Sequence, residues 1–548
     1  MSIHPQPVPE IPELTARVAR AAFPKGNVYM QMRDVFGAFF QDDQFTDLYA
    51  RDGQSGFSPW RLALVSVMQF AENLTDRQAA NAVRARIDWK YALSLELDDP
   101  GFDFSILSEF RQRLIDSPDM ERVFNRLLET FQTRGLLQGG GQQRTDSTRI
   151  FSATRRLNHL ESVGQTLYHA LNILAVEAPD WLTAWVLPDW YERYGQPFND
   201  YNLPKDKTEQ QELALIIGRD GLRLLDALWN DVQAPPHLKQ LRAIETLHQV
   251  WIQHYYLEND EVYWRERKDM PLAEQLLQSP FDVEARYSSK RNVEWVGYKV
   301  HLTETCDEDS PNLITHIETT LATEPDNMVV DPIHQALYKK RCLPRQHIVD
   351  SGYTSAALLV NSLRDYGVEL IGPLGNLAGW QARANTGFDL SAFEIDWDTQ
   401  VVTCPMGKAS RSWSSIPHLR GHEFIMVHFS SKDCRICPSK QMCTRAPRRT
   451  LGLHPKAVFE MVQARRSEQD TEVFRSIYRK RNGVEGSISQ ACLVLGMRRT
   501  RYRGLAKTHL QNLLTAAAIN LTRAMNWLAG IPKATTRVSP FAALALAS

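Results

Sequence analysis

Residues 345–353 read RQHIVDSGY. The apolar pair Ile348-Val349 runs into Asp350, and Ser351-Gly352 stops it. The reading is a brief buried strand that presents a carboxylate at its C-terminal end. In an α/β sheet, that end is where ligands bind. Downstream, SAALLVNSLRDYG (355–367) reads as a helix and VELIGPL (368–374) as another strand. Upstream, DNMVVDPIHQALYKKR (326–341) reads as a helix. EWVGYKVHLTETC (294–306) and NLITHIETTLATE (312–324) alternate with period two and are rich in β-branched residues. Earlier still, QQRTDSTRIF (142–151) reads as a first strand carrying Asp146. The order β, β, β, α, β, α, β predicts a mixed α/β sheet.

Helical pattern surrounds and interrupts this sheet. Residues 1–27 hold Pro5, Pro7, Pro9, Pro12 and Pro24 and read as an irregular arm. Residues 28–135 read as an all-α N-terminal domain. Ser58 is expected to cap a helix with Pro59 at its first position, and Thr75 to cap the next. A helical insert rich in Trp and Tyr is expected over 158–270, after the first strand. A cysteine-rich insert follows over 375–447. Helices return from about Lys456, and 531–548 is a tail. Neither internal repeats nor low-complexity tracts are visible.

The 548 residues are 43% hydrophobic, which argues against global disorder. Met1 to Thr15 lacks the basic flank and apolar run of a signal peptide. The most apolar stretch, Leu510 to Ile531, is interrupted by Asn520, Arg523 and Asn526, so no membrane span is expected. A cytoplasmic chain follows by default. Net charge is -1, but it is unevenly spread. Residues 431–510 carry 18 Lys and Arg against six Asp and Glu, a net of +12. Residues 161–270 carry ten against 18, a net of -8. The basic block is the expected footprint of a phosphate-binding surface, or else a solvated helical face.

Three carboxylates stand out. Asp146 lies on the first strand, Asp350 ends a central strand, and Glu485 lies in YRKRNGVEGSISQ (478–490) on a late helix. Tyr478, Arg481 and Glu485 are spaced to share a helical face. Three carboxylates converging in a cleft would need cations. Hard, oxygen-seeking divalent ions suit such a donor set and catalyse phosphoryl displacement. Asp282, in SPFDVEARYSSK (279–290), is a rival for the first position, but a capping or hinge role fits its place before the second strand better. Lys299 lies on a core strand and could face a phosphate or solvent.

Cys404, Cys434, Cys437 and Cys443 cluster in the second insert, with CRIC a C-x-x-C pair and Pro405-Met406-Gly407 forming a knuckle-like turn. Four thiolates suit a tetrahedral Zn²⁺. A redox pair and reduced buried cysteines are the alternatives. Cys306, Cys342 and Cys492 read as core residues.

Nine blocks in order resemble the DDE transposases of the IS1182 group, within the IS4/IS5-like set. They include SPWRLALVSVMQFAENLTDRQA, RTDSTRI, WVGYKVHLTETCD, IVDSGYTS, DCRICPSKQMCTRA, YRKRNGVEGSISQ and RRTRYRGLAKTHLQNLLTAAAINL. The resemblance spans about residues 28–530. It implies an RNase H-like catalytic domain over 140–530, with Asp146, Asp350 and Glu485 as a triad binding two Mg²⁺ or Mn²⁺ ions. It also implies cleavage and joining of DNA at terminal inverted repeats, by a dimer or larger assembly on DNA. The family signature places Tyr, Arg and Glu on Tyr478, Arg481 and Glu485. Its Lys falls on Cys492, leaving Arg498, Arg499 or Arg501 to contact phosphate. Gly483 and Gly486 weaken the helix there by about 1 kcal/mol each. An inactive, transposase-derived DNA-binding protein and a nuclease that cuts without joining remain the alternative readings.

Overall fold

The computed structural model describes residues 2–199, 201, 203–375, 380–381, 387–417 and 423–533. Most of the 531–548 tail, and parts of the cysteine-rich insert, lie outside them.

Helices come first: α1 (Glu13–Ala22), α2 (Val28–Phe36), α3 (Pro59–Ala71), α4 (Asp76–Ala85), α5 (Ile87–Ala92), α6 (Ser105–Asp116) and α7 (Arg122–Thr133). The expected irregular arm therefore ends at Pro12. Between Pro12 and Pro24 the chain is rich in Ala, Arg, Leu and Glu and has no Gly or Pro, and α1 docks through buried Ala19 and through Thr15, whose hydroxyl donates to the Leu95 carbonyl. Thr75 caps α4 in a capping box with Gln78. Ser58 does not cap α3. Its hydroxyl donates to Asp42, whose carboxylate accepts the Trp60 N–H in its place.

A six-stranded curled mixed sheet follows. Its strands are β1 (Gln142–Phe151), β4 (Arg286–Lys290), β5 (Val293–Thr305), β6 (Ile314–Leu321), β7 (Gln346–Ile348) and β8 (Glu369–Ile371). The path β6-β5-β1-β7-β8 is antiparallel across its first three strands and parallel across its last three. β4 pairs with the start of β5. Helices α13 (Val330–Lys339) and α14 (Ala356–Tyr366) make the crossovers.

The first insert holds α8 (His159–Glu177), α9 (Pro179–Trp185), α10 (Pro188–Tyr194), α11 (Lys207–Asn230) and α12 (Arg242–His254), around a core of its own. It is not helical throughout. β2 (Tyr255–Glu258) and β3 (Glu261–Trp264) form a hairpin whose two turn residues, Asn259 and Asp260, both have positive φ. An Asn-Asp pair between aromatic runs favours that turn. The second insert contains β9 (Glu394–Asp396), β10 (Val401–Thr403), β11 (Ser412–Pro417), β12 (Glu423–His428), α15 (Ser431–Ile436), α16 (Lys440–Cys443) and β13 (Thr450–Leu453). It runs past the expected boundary at 447, because β13 pairs with β12.

The chain closes with α17 (Lys456–Glu468), α18 (Glu472–Arg479), a 3₁₀ turn (Lys480–Asn482), α19 (Gly483–Ser489), a π turn (Gln490–Val494) and α20 (Leu505–Leu528). α20 joins the N-terminal helices to the sheet. Its buried Leu513, Ala517 and Leu521 belong to one cluster with Trp60 and Phe110 on one side and Val300 and Ile317 on the other. No described helix is long and apolar enough to cross a membrane.

Candidate active site

Register brings the first two carboxylates together. β1 and β7 run parallel with Arg144 opposite Ile348. Two residues further along each chain come Asp146 and Asp350, side by side at the C-terminal edge of β7. The Ser147 N–H donates to Asp146 at 2.8 Å, and the Gly352 N–H to Asp350 at 2.8 Å. Burial pushes the Asp146 carboxyl up. Arg481 and the Ser147 N–H oppose the rise, and Asp350 adds to it.

Glu485 reaches the same place from α19. The Arg481 guanidinium spans the two elements, 3.1 Å from Asp146 Oδ2 and 3.1 Å from Glu485 Oε1. Glu485 itself is largely exposed, at 65% of its side chain. Tyr478 stacks on Phe474. Its hydroxyl is raised by burial and, to a smaller degree, by Asp350 and Asp146, so it too borders the carboxylates. Thus Asp146, Asp350, Arg481 and Tyr478 border one another, while Glu485 joins them only through Arg481, and the three carboxylates are not gathered tightly enough to hold one ion as they stand.

A fourth carboxylate stands there that the sequence did not single out. Asp326 accepts from Lys299 Nζ at 2.7 Å and from Ser147 Oγ at 3.3 Å. A Cβ on Gly352 would sit 3.0 Å from Asp350 Oδ1 and 3.4 Å from Asp326 Oδ2, so the two carboxylates flank that glycine. Burial raises the Asp326 carboxyl, but Lys299, with smaller help from His301 and Lys290, holds it below its ordinary value. Lys299 therefore faces the site, with its charge engaged by Asp326 and the Glu324 carbonyl.

A buried network positions the carboxylates. Glu304, fully buried on β5, takes Arg144 of β1 (2.6 Å), Ser487 of α19 (2.5 Å) and Arg523 of α20 (2.8 Å). Arg144 also donates to the Lys480 carbonyl. A Cβ on Gly483 would lie 2.1 Å from the Arg144 guanidinium, so a larger residue there would have to displace that side chain from its place beside Glu304. Beneath Asp146, Thr145 bonds both Thr303 and His347 at 2.6 Å, and His347 bonds His334 at 2.8 Å.

The remaining basic candidates differ. Arg498 donates to Thr148 and to the Arg149 carbonyl, and its charge lies near Cys492, whose thiol burial pushes up. It stands closest to where the signature Lys is replaced. Arg501 is spent on the N-terminal helices: it bonds Asn73 and the Leu74 carbonyl and stacks 4.9 Å over Phe70. Arg499 is exposed, although it donates to the Ser152 carbonyl at 3.4 Å and lies 5.8 Å over the Phe151 ring. Asp282 is buried and structural, accepting from Ser152, Tyr298 and the Gly504 N–H.

Cys404, Cys434, Cys437 and Cys443 all line one cavity. Burial raises the Cys443 thiol, and the other three thiols add to the rise while Arg449 opposes it. Among the described residues, no three His, Cys, Asp or Glu side chains are gathered tightly enough to hold a metal ion as they stand.

Two family models match the chain. One, a Transposase DDE domain, covers residues 403–525, and the other, a Transposase domain (DUF772), covers residues 17–113. The pair is characteristic of IS1182-family DDE transposases. Together the two transposase domains indicate an insertion-sequence transposase. No curated protein matches it. A DDE transposase domain implies a nuclease or strand-transferring enzyme that acts on DNA and depends on a divalent metal. The DDE model includes Glu485 and the four clustered cysteines. Asp146 and Asp350 lie outside both models, so their assignment rests on the geometry and on the sequence resemblance.

Proposed function

We propose that this transposase cuts DNA at the terminal inverted repeats of its element and joins the freed ends to target DNA, using Asp146, Asp350 and Glu485 on an RNase H-like core. The observation that carries the reading is the β1–β7 register, which sets Asp146 beside Asp350 while Arg481 links Asp146 to Glu485. The path β6-β5-β1-β7-β8 supports the same core.

The donor type suits hard divalent cations, carboxylate oxygens at a partly buried edge, although among the described residues Asp146, Asp350 and Glu485 are not gathered at single-ion distances and the Arg481 guanidinium stands between Asp146 and Glu485. Two Mg²⁺ or Mn²⁺ ions held by Asp146, Asp350 and Glu485 would supply activation of the attacking oxygen and stabilisation of the leaving one. The protein's own residues orient and neutralise. Arg481, once released from its carboxylates, is placed to hold a DNA phosphate beside them. Tyr478 borders the same edge, and Lys299 fixes Asp326 against the cleft floor. The exposed Arg499 and the basic block extend the phosphate-binding surface. The working form is an assembly of two or more copies on DNA, in the cytoplasm at the nucleoid.

The test incubates the protein with a duplex carrying its element's end, target DNA and Mg²⁺. Asp350→Asn keeps the shape but removes the charge. Cleavage should fall by several orders of magnitude with DNA binding retained, and Asp146→Asn and Glu485→Gln should do the same without adding. Wild-type cleavage by Asp350→Asn would end the triad assignment. Cleavage without strand-transfer products would reduce the protein to a nuclease.

A further inference from the structure

We propose that Cys404, Cys434, Cys437 and Cys443 bind one structural Zn²⁺ that fastens the insert between β8 and α17. The four thiols come from three segments: the turn after β10, the helix α15 with its C-cap, and α16. All line the same cavity.

Two backbone N–H groups already point at sulfur. Lys408 N–H donates to Cys404 Sγ at 3.4 Å, and Arg449 N–H donates to Cys434 Sγ at 3.5 Å. The first closes a tight turn in which Gly407 has φ +73° and donates to the Cys404 carbonyl. A turn that wraps amide donors round a sulfur prepares it to hold negative charge, as a metal-bound thiolate requires. Binding releases four thiol protons and leaves a Zn(S–Cys)₄ centre of charge -2. Lys408, Lys440 and Arg449 line the same cavity and oppose that charge, against the single carboxylate of Asp433.

The insert also needs the cross-link. Among the described residues its own core is seven buried residues, including Phe393, Val427 and Leu453, with Cys404, Cys434 and Cys443 packed on it. A core that small supports a module of this length poorly, and a structural metal is one of the few remedies. As they stand, the thiols face one another across the cavity without meeting at single-ion distances. The ion would draw α15 and α16 onto the Cys404 turn.

The experiment uses the full chain purified under reducing conditions, without DNA, so its outcome is separate from that of the cleavage assay. Metal analysis should find about one zinc per chain. Replacement by Co²⁺ should give the visible absorption of a tetrahedral thiolate site. Cys437→Ser and Cys404→Ser should lose stoichiometric zinc, while Cys306→Ala keeps it. Chelation should open residues 387–453 to proteolysis ahead of the rest. Zinc-free reduced protein that shows no cobalt band overturns the proposal without any variant. So does zinc that survives both serine substitutions, or a disulfide among the four in place of metal.

Discussion

Replacing Glu304 by Gln tests whether the candidate site is assembled by the buried network behind it. Glu304 is fully buried and receives four donors: Nε (2.8 Å) and Nη2 (2.6 Å) of Arg144, Ser487 Oγ (2.5 Å) and Arg523 Nη1 (2.8 Å). Gln keeps the volume, but one accepting oxygen becomes an NH₂ facing a guanidinium. Breaking one partner of a buried ion pair costs about 3–5 kcal/mol. The loss should also reach the chemistry. Arg144 stands two residues before Asp146 on β1, and Ser487 stands two after Glu485 on α19. A shift of about 1 Å between those elements costs about 100-fold in rate. Denaturant unfolding should show the lower stability, and single-turnover cleavage the lower rate, with DNA affinity unchanged. Ser487→Ala removes a hydroxyl that donates to Glu304 and accepts from Arg523, and should cost about 1.5–3 kcal/mol. A lower unfolding midpoint with wild-type cleavage would refute the positioning role. No change in either would refute the network.

Two further outcomes follow from burial. His301 and His334 are each pushed by burial from 6.5 down to about 4. The unfolded chain protonates them below about 6.5 and the folded chain refuses, so stability is full above that pH and falls as it drops toward 4. The slope is at most about 1.4 kcal/mol per pH unit for each histidine, and an unfolding midpoint flat between about pH 7 and 5 would contradict it. Among the arginines, Arg499→Glu should weaken binding to all DNA sequences and flatten its salt dependence. Arg501→Glu should instead destabilise the fold, because its charge is committed to Asn73, Leu74 and Phe70. Equal effects on binding with equal stability would sink that distinction.

What the sequence disclosed and what it hid divide along a physical line. The long strands were legible because Tyr298 to Leu302 alternates and both strands are rich in β-branched residues, even though both faces are largely buried. The end of β7 was legible because an apolar run meets Asp-Ser-Gly. The β2–β3 hairpin carried its signal in Asn259-Asp260, but it followed an unbroken helical pattern. Asn520 and Arg523 looked like interruptions of an apolar run. In the structure they are what that run is for: Asn520 pairs both backbone groups of Ile314 at the edge of β6, and Arg523 completes the Glu304 cluster.

Asp326 shows where such reading stops. Its neighbours, Pro325 before it and Asn327-Met328 after it, mark a helix entry, and an Asp there has a sufficient local explanation as a cap. It reaches the site only because β5 carries Lys299 and β1 carries Ser147 to the same edge, and both donate to it. Neither partner lies within 25 residues of it along the chain. The triad could be anticipated, since each member had a recognisable local setting and a resemblance to order them. A residue defined wholly by its contacts has no such setting. Asp326 and Glu304 therefore become visible only when the sheet's register is known, and that register aligns Asp146 with Asp350.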